Sequence, residues 1–277
     1  MDNLQNLHKW STELKEQDYT MPALFVGHGN PMNAIQHNQF TEAWRQLGKD
    51  IQKPAAIICI SAHWLTKGSF VTAVEQPKTI HDFYGFPAAL NEVEYKAPGH
   101  PALAALTQQT ISQTHIELDY EWGYDHGSWS VIKHIYPEAD VPMIELSIDY
   151  HQPASWHYAL AKELSVLRKK GVLIIGSGNM VHNLRMVAWD KPTDYAFDWA
   201  IEANELFKDK ILQHRHEDLF DYAALGKAVQ LAVPTPDHYY PMLYSLGLQS
   251  NKDKITFFND QPVMGSLTMT SFRLEEA

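Results

Sequence analysis

Five of the fifteen histidines, His28, His63, His126, His182 and His238, lie in turns between an apolar element and a glycine, proline or aromatic residue. Neutral imidazole is the commonest side-chain ligand for a transition metal, and it also exchanges a proton near neutral pH. One such histidine alone would read as structural. Five are hard to explain as core packing, because burying imidazoles without partners is costly. Together they point to a shared metal ion. No thiolate cluster competes for that role: the single cysteine, Cys59, sits within an apolar run and reads as a small buried hydrophobe.

The elements that must position these residues follow from the apolar runs. Three times a run of small or β-branched residues stops at a tight turn: Ala23 to Val26 before Gly27-His28-Gly29-Asn30-Pro31, Ala56 to Ile60 before Ser61-Ala62-His63-Trp64, and Val172 to Ile175 before Gly176-Ser177-Gly178-Asn179. Continuous apolar runs alternating with helical segments read as strands buried on both faces of a largely parallel sheet. Ligands of such sheets bind beyond the carboxyl ends of the strands, so the histidines should converge in one crevice. Helical periodicity is expected over residues 32–49, 99–115, 153–170 and 193–213, after His126, and briefly before Gly247. Further strands are expected over 69–75, 141–148, 255–258 and 263–273. The fold class is therefore α/β, a three-layer arrangement with a central, mostly parallel but mixed sheet flanked by helices. The whole chain, 1–277, reads as one catalytic domain, with residues 1–20 as an N-terminal extension that is helical over 4–17.

Composition removes several function classes. A net charge of −11 disfavours a nucleic-acid surface, which needs clustered Lys and Arg. No segment approaches the ~20 apolar residues of a membrane span, and the amino terminus lacks a signal-peptide pattern, so a cytoplasmic protein is expected. Neither glycine turn completes a dinucleotide fingerprint, since Met32 and Val181 stand where the third glycine would be, and neither a P-loop nor a serine-hydrolase elbow occurs. His8, His37, His100, His115, His134, His157, His214 and His216 lie in or beside polar helical stretches and read as solvated surface, while His81 and His151 lie in loops. The aromatic stretch over residues 79–87 has neither period and reads as a long loop of the kind that covers binding sites.

Those two glycine turns, Ser61-Ala62-His63-Trp64, the 79–87 stretch, Asp125-His126-Gly127, His182-Asn183 and Pro236-Asp237-His238-Tyr239 together resemble the LigB-type, class III extradiol ring-cleavage dioxygenases. The 4,5-DOPA dioxygenase-like branch is the most similar. The resemblance runs in order from about residue 21 to the carboxyl terminus. It implies a non-haem Fe(II) held by His28, His63 and His238, with His182 as the catalytic base and a possible fourth ligand. It also implies that His126 hydrogen-bonds the oxygen species or the substrate. The substrate would be a catechol, cleaved with O2. One departure from better-known members is that His238 replaces a glutamate, so the ligand set is three neutral imidazoles.

Three imidazoles also describe a catalytic zinc site, and zinc binds such ligands more tightly than Fe(II), so it could occupy the site on isolation. Asp237 could in principle supply a carboxylate, but adjacent side chains in an extended loop tend to point apart. His81, Phe83, Tyr84 and Tyr239, with Tyr240, are expected to wall the aromatic ring of the substrate. Two other readings stand beside the dioxygenase: a zinc-dependent hydrolase on the same histidines, and a non-catalytic Memo-like binding protein, since fold alone does not determine function.

Overall fold

Side chains along the central strands alternate between two separate cores. In the computed structural model, which describes residues 14–276, strands Ala23–Gly27 (β1), Ala56–Ser61 (β2), Met143–Glu145 (β3) and Val172–Gly178 (β4) are buried at every position. Phe25, Ile58, Ile60 and Ile174 enter one core, while Leu24, Ile57, Cys59 and Leu173 enter the other. This two-sided burial is why the strands read as unbroken apolar runs without polar alternation.

Strands Asp253–Phe258 (β5) and Ser271–Glu276 (β6) complete a sheet of order β3-β2-β4-β1-β6-β5. The first four strands are mutually parallel, and β6 is antiparallel to both β1 and β5. Helices Gln39–Asp50 (α1) and His126–Ile135 (α3) pack on one face through Trp44, Leu47, Trp129 and Ile132. Helices Pro101–Thr110 (α2), Ala154–Leu164 (α4), Asp198–Leu212 (α5) and Tyr240–Gly247 (α6) cover the other through Leu103, Leu160, Phe207 and Leu243. The expected three-layer α/β architecture with a mixed sheet is present. No helix among the described residues is long and apolar enough to cross a membrane.

Several boundaries differ from expectation for local reasons. The expected helix over 32–49 divides into a 3-10 turn, Pro31–Ala34, and α1, because Asn38 caps a new start by accepting from the Phe40 and Thr41 amides. The helix expected over 99–115 ends at Thr110, and Ile116–Asp119 instead pairs parallel with Ser69–Thr72. The run 141–148 splits between β3 and a short strand, Ile148–Asp149, that pairs with Leu65–Thr66. The helix expected over 153–170 turns 3-10 at Ser165 and ends at Gly171, whose φ is 76°. Most of the 4–17 helix lies outside the described residues, and residues 14–17 are not helical.

Three histidines read as solvated are buried. His134 contacts the Asn33 carbonyl at 2.8 Å, His157 the Tyr244 hydroxyl at 3.0 Å and His216 the Tyr158 hydroxyl at 3.1 Å. A helix interior can bury an imidazole when tertiary neighbours supply the hydrogen bond, which helical spacing does not reveal. His37, His115 and His214 are exposed, His100 caps α2 through Nδ1, and His8 lies outside the described residues.

At the sheet's antiparallel edge, Arg168 donates to both carboxylate oxygens of Asp253, at 2.7 Å each, and to the Met21 and Leu248 carbonyls. Both side chains are buried, so each charge depends on the other. Asp253→Ala is expected to lower unfolding free energy by about 3–5 kcal/mol, measured by urea denaturation, because it leaves a buried guanidinium unpaired. Burial also lowers His134, His157 and His216 to about 4. Their unfolded value near 6.5 means that the unfolded chain takes up protons first as pH falls. The stability they contribute is full above pH ~6.5 and is lost toward pH 4, at up to about 1.4 kcal/mol per pH unit each. The urea midpoint is therefore expected to fall between pH 7 and pH 5.

Candidate metal centre

Because β1, β2 and β4 are parallel, their carboxyl ends share one edge of the sheet, and each runs directly into a histidine turn. β1 ends at Gly27 before His28, β2 ends at Ser61 before Ala62-His63, and β4 ends at Gly178 before the turn that carries His182. His126 is the first residue of α3, whose start is capped by the Asp125 side chain accepting from the Ser128 amide. His238 precedes α6. Backbone bonds tie these turns together: the His28 amide donates to the Gly178 carbonyl (3.1 Å), Ala62 to Ser177 (3.0 Å) and Asn179 to His238 (2.9 Å). A Cβ on Gly178 would lie 2.2 Å from the His238 carbonyl oxygen, so the third turn can dock only because residue 178 has no side chain.

All five histidines converge. The His28 ring lies 5.1 Å from His63, 5.6 Å from His126 and 5.2 Å from His238. His63 and His126 are 3.9 Å apart, and His182 stacks on His238 at 3.5 Å with 7° between the planes. One ring nitrogen from each of His28, His63 and His238 falls within a 4.8 Å set, and the His28 and His63 Nε2 atoms are 3.2 Å apart. Two nitrogens each 2.0–2.1 Å from one ion at a tetrahedral angle would be roughly 3.3–3.4 Å apart, so the spacing fits a shared ion.

The other ring nitrogen of each of these three histidines is backed by an acceptor. Ser177 Oγ spends its proton on the Gly127 carbonyl, so toward His28 Nδ1, 3.0 Å away, it can only accept. His238 Nδ1 meets the Asp237 carboxylate, and His63 Nδ1 lies 3.1 Å from Asp82. For His28 and His238 these hydrogen-bond partners place the hydrogen on Nδ1 and leave Nε2 its lone pair, the form in which imidazole binds a metal. Asp237 contacts its own neighbour's ring, and one of its oxygens also lies within 4.8 Å of a nitrogen of His182 and of His238.

Electrostatics keep most of the cluster neutral. Burial, then the charges of His63, His238, His126 and His182, hold His28 well below its usual value. Burial, then His238, lowers His182 to about 2, and burial lowers His238 to about 4 against the opposing pull of Asp237. Burial and His63 also lower His126. At His63 burial is outweighed by Asp82, Asp125 and Asp237, so that group moves up. Burial pushes Asp82 up, but His126 and His63 outweigh it and hold the carboxyl well below the usual range.

The expected aromatic wall is only partly brought to this cluster. Phe83 is buried, with its ring 5.6 Å from His126 and edge-on to it. His81 instead contacts the Val93 carbonyl and packs against Phe83 and Trp129. Tyr84 is 93 % exposed. Tyr239 turns into the core, where its hydroxyl donates to the Leu219 carbonyl and its ring meets Phe207 and Tyr222. Tyr240 packs on His157. Neighbours of a site histidine in sequence point elsewhere once helix α6 begins. Asp82 and Ser177, both in direct contact with site histidines, lie within the 79–87 stretch and the Gly176-Ser177-Gly178 turn, but nothing in the sequence singles them out from their neighbours.

A family profile described as the catalytic LigB subunit of aromatic ring-opening dioxygenase matches residues 21–263. A protein of Escherichia coli (strain K12) named 4,5-DOPA dioxygenase extradiol is 44 % identical over 260 residues, covering 92 % of this chain and 94 % of that one. A Beta vulgaris protein of the same name is 33 % identical, covering 93 % and 97 %. Among solved structures, an uncharacterised protein from Escherichia coli K12 superposes with a TM-score of 0.80 at 41 % identity, covering 91 % of this chain and 99 % of that one.

Gly178→Ala forces the His238 turn away from β4. The expected result is destabilisation by about 1–3 kcal/mol in urea unfolding, together with weaker binding of Co(II) or Zn(II) in titration.

Proposed function

The chain belongs to the LigB family of aromatic ring-opening dioxygenases and is an extradiol ring-cleavage oxidoreductase, and from that premise we propose that it opens the ring of a DOPA-like catechol with O2 at an Fe(II) held by His28, His63 and His238. The observation that carries this reading is the set of three imidazoles whose nitrogens gather within 4.8 Å while acceptors back their Nδ1 atoms. A ferrous ion there supplies a centre at which a catechol and dioxygen meet and electrons pass from ring to oxygen. A donor set of neutral nitrogens leaves the metal's positive charge undiminished, which favours binding of an anionic catecholate.

The protein's own groups handle the protons. A catechol must lose a proton as it docks, and His182, stacked on His238, is the proposed acceptor, its proton affinity lowered by burial and by His238 and raised again by an anionic catecholate docked beside it. His126 stands across the cluster, 5.6 Å from His28, and is the proposed hydrogen-bond partner of the reacting oxygen. Phe83, edge-on to His126, offers an apolar surface for the substrate ring. His126 is buried and His182 half-buried, which limits the access of water to the reacting groups.

The deciding experiment is anaerobic reconstitution with Fe(II), addition of a catechol panel that includes DOPA, and measurement of oxygen uptake with the yellow ring-opened product. Uptake with at least one catechol is expected. No uptake with any of them, with ester or amide hydrolysis by the zinc form, would replace this reading with the hydrolase. His28→Ala is expected to lose both bound metal and turnover. His182→Ala should keep its metal and lose about 10²–10⁴ in kcat. Equal metal loss in the two variants would make His182 a ligand.

A further inference from the structure

The carboxylate of Asp82 faces two of the five site imidazoles at once. Its Oδ2 lies 3.1 Å from His63 Nδ1 and 3.0 Å from His126 Nδ1, while Oδ1 accepts the His126 backbone amide at 2.9 Å. We propose that Asp82 is a positioning residue that holds His63 and His126 as Nδ1–H tautomers and, through the adjacent Phe83, ties the aromatic loop to the metal centre. This rests on the reading of His63 as a ligand and His126 as an active-site group.

The physical argument is one of polarity. An ionised carboxylate can only accept, so an imidazole lone pair aimed at it is repelled and an N–H is attracted. Each Nδ1 therefore carries the hydrogen, and Nε2 on the far side of each ring is the free nitrogen. One oxygen cannot lie along both N–H directions, and both Nδ1 contacts are close ion-pair approaches and not formed hydrogen bonds. The attraction there is electrostatic in a part-buried site, where it is only weakly screened. The negative charge also makes tolerable the approach of two imidazoles to 3.9 Å.

Asp82 is held in place from both sides of its loop. The Ile80 amide donates to the Tyr124 carbonyl at 2.7 Å, and Trp129 Nε1 donates to the Ile80 carbonyl at 2.9 Å. The next residue, Phe83, meets both His126 and Phe86 edge-on. A displacement of the loop that moved Phe83 would therefore also withdraw the carboxylate from His63. Substrate wall and ligand tautomer are set by neighbouring residues on one rigid strap.

A simpler role would be to satisfy the first amide of α3, which has no partner within the helix. Asp82→Asn separates the two. Asparagine serves that amide as well as aspartate does, but with its carbonyl so placed its NH2 group faces the two Nδ1 atoms and favours lone pairs there. Both rings are then driven toward Nε2–H, which cannot ligate. In the metal-free protein, long-range 1H–15N correlation spectra of the imidazoles read the tautomers directly. The expected result is Nδ1–H for His63 and His126 in the natural chain and a switch to Nε2–H in the variant. Co(II) affinity should fall about 10–100-fold in parallel, with an unchanged circular dichroism spectrum. Unaltered tautomers in Asp82→Asn, or Nε2–H at His63 and His126 in the natural chain, would overturn the proposal, the second even if the variant does not fold. A tautomer switch with unchanged Co(II) affinity would uphold Asp82's hold on the rings and overturn His63 as a ligand.

Discussion

The organisation of this protein turns on the polarity of an imidazole ring. A histidine has two nitrogens, and only the one without hydrogen can hold a metal or take a proton. Bringing several rings together is therefore insufficient; their far sides must be furnished with acceptors so that the near sides present lone pairs. Ser177, Asp82 and Asp237 meet that requirement for His28, His63 and His238. Two ring nitrogens 3.2 Å apart need a proton or a cation between them, so the same arrangement that makes the site chemically competent creates a demand for positive charge.

The sheet is what makes this arrangement possible. Parallel pairing of β1, β4 and β2 places three turns side by side, and the bonds His28 to Gly178, Ala62 to Ser177 and Asn179 to His238 hold those turns at fixed separations. Glycine is needed where elements press closest, as at Gly178 against the His238 backbone and at Gly127, where a Cβ would lie 2.5 Å from the Ser61 side-chain Oγ. Far from the site, the Arg168–Asp253 pair joins the 3-10 turn before β4 to the antiparallel edge of the sheet. The strands carry their own stability in two cores, and this lets the crevice at their ends be polar.

Strands buried on both faces announce themselves as apolar runs, so β1 and β2 are legible to within a residue and the gathering of five histidines at the strand ends is legible too, whereas β4 runs on through Gly176-Ser177-Gly178, which reads as a turn. Helix ends were less legible, because Asn38 and His100 act as caps through geometry that periodicity does not encode. His134, His157 and His216 were misread as solvated, since what makes them tolerable in the core is a hydroxyl or a carbonyl from a distant element. Tyr239 was misread in the opposite sense, being one residue from His238 yet directed into the core.

By itself the amino-acid sequence determined the class of fold, the family and the identities of the histidines, because these depend on local hydrophobic pattern and on short motifs that survive without knowledge of contacts. It could not determine which nitrogen of each ring is free. That choice belongs to Ser177, Asp82 and Asp237. Ser177 and Asp82 lie 149 and 19 positions from the histidines they face, whereas Asp237 adjoins His238 but reaches its Nδ1 only through the loop's conformation. Only the folded chain brings acceptor to donor, because hydrogen-bond polarity acts over about 3 Å of space and is indifferent to distance along the sequence.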